Sequence, residues 1–398
     1  MENVSQRVSS LAISQTLAMS QKSREMQAQG IDVINLSVGE PDFNTPQHIK
    51  DAAIQAINDN YSHYSPVPGY PQLLKAISNK LKKENNLEYG ADQIIVSNGA
   101  KHSLANVILS LVNKGDEVIV PAPYWVSYVE LVKLAEGTNV IIETSIDSDF
   151  KITPEQLKRA ITSKTKAMFL CSPSNPSGSL YSKGELEALA KVIEESGVEM
   201  YILSDEIYEH INFVGKHESI AQFDFIRDKV IIINGVSKGY AMTGWRIGYI
   251  AAPKWIAKAC NKIQGQLTSG ASSISQMASV AALNIQTNDI SEMVVAFKRR
   301  RDLVVKLTSE IEGMKVNVPE GAFYLFPEVS SFFGRSDGQV IIKDSSDLAM
   351  YILEKAHVAT VPGSAFGSDD YLRFSYATSD EKLKEAIARM KKVLSQLQ

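Results

Sequence analysis

A lysine between glycines is the most unusual chemical feature of this sequence. The run Ile233-Asn234-Gly235-Val236-Ser237-Lys238-Gly239 ends a β-rich stretch in a turn, and Arg246 follows eight residues after the lysine. A lysine amine placed in a partly desolvated site near other cations has a depressed pKa and can attack an aldehyde to form a Schiff base. An arginine nearby can hold a phosphate by two parallel hydrogen bonds. The expected chemistry is therefore amine capture of a phosphorylated aldehyde.

Other stretches could supply the rest of such a site. In Tyr201-Ile202-Leu203-Ser204-Asp205-Glu206-Ile207-Tyr208, an apolar run delivers Asp205 at its C-terminal end, the edge at which open α/β sheets bind ligands. Asp205 could cap a helix, ligate a metal or pair with a protonated ring nitrogen, and Tyr208 would reach the same place if the chain turns helically. Ser97-Asn98-Gly99-Ala100-Lys101 joins a strand to a helix, and backbone N–H groups at such a start cradle anions. Gly235-Val236-Ser237-Lys238-Gly239 also spells G-x-S-x-G, the nucleophile elbow of hydrolases, with His357 downstream. Against that alternative, the stretch after Ser237 reads as a loop rather than a helix, and no HGGG-like segment precedes it.

The elements that must position these residues alternate between β-rich and helical patterns from about residue 90 to 252, which predicts βα units and a mostly parallel sheet. Seven strands are expected, at 93–97, 117–120, 139–143, 167–171, 200–204, 230–234 and 246–251, with helices at 102–112 and 183–195. Ahead of them, Thr45 reads as the N-cap and Pro46 as the first turn of a helix over 47–60, and Pro71 opens another. After Pro253 long helices take over. One of them, over 291–312, carries Lys298, Arg299, Arg300 and Arg301, which read as a solvated face. Short strands at 322–326 and 371–376 and a last helix from Asp380 complete a smaller α+β unit.

The whole chain has 398 residues, 41 Lys+Arg, 45 Asp+Glu and 44% apolar residues, the composition of a soluble enzyme with no polyanion-binding surface. No nucleic-acid partner is expected. Two distant cysteines, Cys171 and Cys260, suggest a reducing compartment, and no stretch approaches the ~20 apolar residues that span a membrane. The N-terminal residues lack an apolar secretion core, so a cytoplasmic protein is expected.

Taken together, the ordered stretches Ser37-Val38-Gly39-Glu40-Pro41-Asp42-Phe43, Tyr64-Ser65-Pro66, Ser97 to Lys101, Pro123-Tyr124-Trp125, Asn175-Pro176-Ser177-Gly178, Ser204 to Tyr208, Ser237-Lys238 through Arg246-Ile247-Gly248, and Arg373-Phe374-Ser375-Tyr376 resemble the class I aminotransferases. These are the fold-type I pyridoxal-phosphate enzymes, and the resemblance is nearest to their bacterial aspartate aminotransferase-like branch. It implies a large pyridoxal-phosphate-binding domain over 47–295, with a seven-stranded, mostly parallel sheet flanked by helices. A small C-terminal domain over 296–398 would be joined by the segment 1–46, which also acts as a cleft lid.

The same resemblance implies the roles. Lys238 would hold pyridoxal 5'-phosphate and move the substrate proton, Asp205 would pair with the ring nitrogen, and Tyr208 and Asn175 would bond its phenolic oxygen. Trp125 would stack on the ring. Gly99, Ala100, Ser237 and Arg246 would hold the phosphate, with Tyr64 reaching across from the second subunit of a homodimer. Arg373, assisted by Gly39, would clamp the α-carboxylate of the amino acid or 2-oxo acid. Lys101 and either Ser14 or Thr16 would contact a second carboxylate, which favours aspartate or glutamate; aromatic amino acids and prephenate stay open, as does a lyase on the same scaffold. No metal is implied. Ser177 stands where much of the family has threonine.

Overall fold

The computed structural model describes residues 4–284 and 288–398. A seven-stranded sheet forms its larger layer, in the spatial order Ile94–Ser97, Gly248–Ala251, Val230–Gly235, Tyr201–Asp205, Thr165–Cys171, Glu117–Ala122, Thr138–Glu143. All neighbours run parallel except Gly248–Ala251, which is antiparallel to both of its partners. The expected seven strands are therefore present in a mixed, mostly parallel sheet. Its central strands, Tyr201–Asp205 and Val230–Gly235, are buried along their whole length, because helices cover both faces. That double coverage is why they read as unbroken apolar runs instead of alternating ones. Asp205 and Gly235 end adjacent strands, so Lys238 and the carboxylate emerge on the same sheet edge.

Two apolar cores flank this sheet. Leu74, Ile77, Leu186 and Ile232 belong to one, and Leu104, Val107, Leu203 and Ile256 to the other. A third core joins Met19, Ile34 and Leu36 to Phe297, Tyr324, Phe374 and Met390, tying the N-terminal segment to the C-terminal elements. There Ile34–Asn35 pairs in parallel with Val358–Ala359, and Val361–Pro362, Leu372–Ser375 and Tyr324–Leu325 make a three-stranded antiparallel sheet. The helix Asp380–Leu394 closes it, its first turn capped by the Ser379 hydroxyl accepting from Lys382 N–H.

Three local expectations are corrected. Thr45 does not cap the helix Gln47–Asn58, whose N-cap is Pro46; the Thr45 hydroxyl instead donates to the Ala241 carbonyl at 2.7 Å and accepts from the Trp245 indole. Arg246 lies outside its expected strand, in a left-handed conformation with φ 58°, which turns its side chain back toward Thr243. The basic run on the helix Asn288–Ser309 is a solvated face only in part: Lys298 and Arg299 are exposed, but Arg300 and Arg301 are buried. Arg300 makes a bidentate pair with Asp42 at 2.7 and 2.9 Å, and Arg301 donates to the Pro319 carbonyl. A planar guanidinium suits such partly buried pairing, which helical periodicity alone does not reveal.

Candidate active site

The C-terminal ends of the parallel strands and the third core enclose a cavity of about 290 Å³. Lys238, Ser237, Asp205, Tyr208, Asn175, Trp125 and Ala100 line it, and so do Arg246, Lys101, Gly39, Arg373, Ser14 and Thr16. Gly99 lies immediately behind, since a side chain there would collide with the Arg246 guanidinium. Tyr64 is the exception: it is 100% exposed and does not line this cavity.

Lys238 sits in the turn after Val230–Gly235, its amine donating to the Gly39 carbonyl. Burial pushes its pKa down to about 8, opposed by Glu40 and reinforced by Arg373 and Arg246. An amine with that pKa is partly unprotonated near neutrality and so can act as a nucleophile. The neighbouring Ser237 has no histidine with it among the residues lining the cavity. His357 lies away from the cavity, beside the N-terminal strand, where its carbonyl accepts from Ile34 N–H, so among the described residues the hydrolase alternative finds no histidine base at Ser237.

Asp205 is the last residue of its strand, and burial pushes its carboxyl up to about 6. It accepts from the Tyr128 hydroxyl at 2.6 Å and from Ile207 N–H at 3.3 Å. Tyr208 comes off the turn that follows, its hydroxyl 2.8 Å from that of Tyr324. Arg373, on Leu372–Ser375, is buried, and donates to Asn175 at 3.0 Å and to the Ser37 carbonyl at 2.7 Å. Its guanidinium carbon lies 4.6 Å from the Tyr324 ring centre. Among the described residues it has no carboxylate partner, and its buried Nε has no hydrogen-bond acceptor. A buried guanidinium left so is costly unless an anion completes it.

The residues fit a phosphorylated pyridine aldehyde on these grounds. Gly99, with φ 84°, opens the helix Ala100–Leu111, and a side chain on Gly248 would strike the Ala100 backbone. The start of that helix at Ala100 and the Arg246 guanidinium, which donates to Thr243 O at 2.9 Å, face the same cavity, an arrangement that suits a phosphate. Lys101, in the same turn, is 4.9 Å over the Trp125 ring, and burial first, then Arg246, lowers its pKa. Lys101, Arg246 and Arg373, facing one cavity together with Lys238, call for more than one anionic group.

Sequence reasoning missed Tyr128, Tyr324, Cys171 and Thr243, which also line the cavity. Tyr128 was within reach of a local argument, standing one helical turn beyond Trp125 at the start of Ser127–Leu134. Tyr324 carried no such signal.

Comparison with known proteins completes the assignment. The sequence model of the family described as aminotransferase class I and II matches residues 31–390, and the chain belongs to that family. It is an aminotransferase. It is 48% identical over 98% of its length to a bifunctional aspartate aminotransferase and glutamate/aspartate-prephenate aminotransferase of Petunia hybrida, covering 83% of that protein. With a probable aspartate/prephenate aminotransferase of Rickettsia bellii it shares 45% identity, each chain covered in full. The crystal structure of the aspartate aminotransferase of Rhizobium meliloti superposes with a TM-score of 0.96 at 42% identity over the whole of both chains. An aspartate aminotransferase of Thermus thermophilus solved with maleate gives 0.92 at 39% identity, over 99% of this chain and 100% of that one. The fold is the aspartate aminotransferase-like α/β fold.

Proposed function

We propose that the protein transfers the amino group of L-aspartate or L-glutamate to 2-oxoglutarate or oxaloacetate, with pyridoxal 5'-phosphate held in the cavity described. The observation that carries this reading is the meeting of a depressed lysine amine, a buried carboxylate and an incompletely paired buried arginine in one cavity. When bound, the cofactor supplies an aldehyde that takes up the amino group and a ring that delocalises the electrons released at the substrate α-carbon. Lys238 would hold the cofactor through its amine and would carry the proton to and from the substrate α-carbon. Asp205 would keep the ring nitrogen protonated, Tyr208 and Asn175 would hold the phenolic oxygen, and Trp125 would lie against the ring. Gly99, Ala100, Ser237 and Arg246 would bind the phosphate. Arg373, with the Gly39 backbone, orients the α-carboxylate.

Lys101, with Ser14 or Thr16, binds the second carboxylate of the substrate. The names of the Petunia, Rickettsia and Rhizobium proteins support aspartate, and the maleate of the Thermus structure is itself a dicarboxylate. The prephenate activity in two of those names supports a second acceptor of the same kind. Titrating the reconstituted protein with L-aspartate is expected to convert its yellow, lysine-bound form to the amine form of the cofactor, and 2-oxoglutarate to restore the colour. A protein that stays colourless after reconstitution would sink the reading.

We also infer a homodimer with shared sites: Tyr64 is fully exposed and outside the cavity of its own chain, which supports a contact with the phosphate site of a neighbouring subunit. Sedimentation should give twice the 43.8 kDa chain mass, and a monomer at assay concentration would refute this. The division into 47–295 and 296–398, with 1–46 joined to the latter, is supported by the core shared by Met19, Leu36 and Phe374. The free cysteines Cys171 and Cys260 support a reducing, cytoplasmic setting, and among the described residues no helix is long and apolar enough to cross a membrane.

A further inference from the structure

The carboxylate of Asp205 accepts a hydrogen bond from a buried phenol, that of Tyr128. Tyr128 is 2% exposed, and its ring is fixed from two sides. Phe169 stacks on it at 4.2 Å between centroids with an interplanar angle of 8°, and Trp125 meets it edge-on at 5.5 Å. A ring clamped in this way has little freedom to re-aim its hydroxyl, which lies 2.6 Å from Asp205 Oδ2. Among the described residues, the only other donor to that carboxylate is Ile207 N–H, at a long 3.3 Å. The thiol of Cys171, paired in register with Asp205 on the next strand, lies beside the same hydroxyl. Burial pushes that thiol up to about 12, so it stays neutral and adds no competing charge.

We propose that Tyr128 is a positioning residue for the amino-transfer site: its hydroxyl, locked by Phe169 and Trp125, keeps Asp205 ionised and aimed for pairing with the cofactor's ring N–H. The inference rests on the pyridoxal-phosphate reading of the cavity. Its physical basis is that a buried carboxylate stays charged only where donors replace the lost water. Glu206, next in the chain, adds a like charge that opposes ionisation, while Lys238 favours it. With the phenol removed, one long backbone contact would have to hold the charge against burial. The carboxyl would then take a proton near neutrality and lose its fixed orientation. A cofactor arriving with its ring nitrogen protonated would find a neutral partner.

A different account is that a buried tyrosine simply needs an acceptor and Asp205 is the nearest one. The two accounts differ in a double-mutant cycle on cofactor binding. Tyr128→Phe keeps the ring and its stacking, so Tyr128→Phe, Asp205→Asn and the double variant are compared with the parent protein. Pyridoxal phosphate affinity is measured by quenching of tryptophan fluorescence, and folding by thermal melting. Hydrogen bonds to charged groups contribute about 1.5–3 kcal/mol, so Tyr128→Phe should weaken binding roughly ten- to a hundredfold when Asp205 is present. In the Asp205→Asn background the same change should cost less than about twofold, because the charge through which it acts is gone.

The Asp205 carboxyl, followed by infrared difference spectroscopy in the cofactor-free protein, should also titrate at higher pH in Tyr128→Phe. Equal losses of affinity in both backgrounds, or no loss in either, would overturn the proposal and leave Tyr128 as a packing residue. A parent protein that binds no pyridoxal phosphate would overturn the cofactor reading itself, and this inference with it.

Discussion

Replacing Lys238 by alanine is expected to lower kcat by at least about 10⁴-fold with every amino acid, since a positioned acid–base group contributes 10²–10⁴ and covalent capture is lost as well. Folding should survive, because the amine's hydrogen bond is to a single backbone carbonyl, that of Gly39. The variant should also lose the yellow absorption of the lysine-bound form while still binding the cofactor through Arg246 and the helix start at Ala100. Turnover that persists in Lys238→Ala and disappears in Ser237→Ala would reverse the roles of the two residues. The pH dependence of cofactor capture has a definite sign. The Lys238 pKa is lowered to about 8, so below that pH the amine is mostly protonated and inert. The capture rate should therefore rise about tenfold per pH unit up to about 8 and level off above it. A rate that kept climbing toward the ordinary lysine range would mean that burial does not depress the amine.

Arg373→Ala should reduce kcat/KM by about 30- to 5,000-fold for all amino-acid substrates alike, because truncating one partner of a buried, hydrogen-bonded charge pair costs about 2–5 kcal/mol. The α-carboxylate is common to every substrate. Lys101→Ala, by contrast, should penalise aspartate and glutamate and leave monocarboxylic amino acids nearly unchanged, since Lys101 stands at the Trp125 side of the cavity and is more exposed. Steady-state kinetics with aspartate, glutamate and alanine separates the two cases. Equal losses for Lys101→Ala across the three would mean that it binds the cofactor phosphate rather than a substrate side chain. Arg373→Lys should rescue little. Lysine cannot hold Asn175 and the Ser37 carbonyl with one planar fork and keep further donors for the substrate.

Much of this architecture was legible along the chain. Strands such as 167–171 and 230–234 showed as apolar runs, and Thr165–Cys171 and Val230–Gly235 lie there in the structure. Those runs are short-range signals, since a strand covered on both faces has no polar side to alternate with. Segments with weaker local definition came out shorter: the stretch expected as a strand at 322–326 pairs only over Tyr324–Leu325, with Ala322 left-handed at φ 55°. Thr45 had the chemistry of a cap and a proline after it, yet a carbonyl far along the chain, Ala241 O, competed for its hydroxyl.

The residue types, and their order, determined the reacting groups: a lysine and an aspartate each at the end of an apolar run, a glycine opening a helix, and an arginine near the C-terminus. Their chemistry is a property of each side chain and its immediate turn, so the sequence by itself sufficed. Tertiary structure alone decided which charges lie buried and what faces them. Arg300 meets Asp42 across 258 residues, and Tyr128 meets Asp205 across 77. Helix and strand periods specify which face of an element turns inward, but carry no information about the partner it meets there. The depression of the Lys238 amine, the elevation of Asp205 and the incompletely paired Arg373 guanidinium arise only when those faces close over one cavity and exclude water.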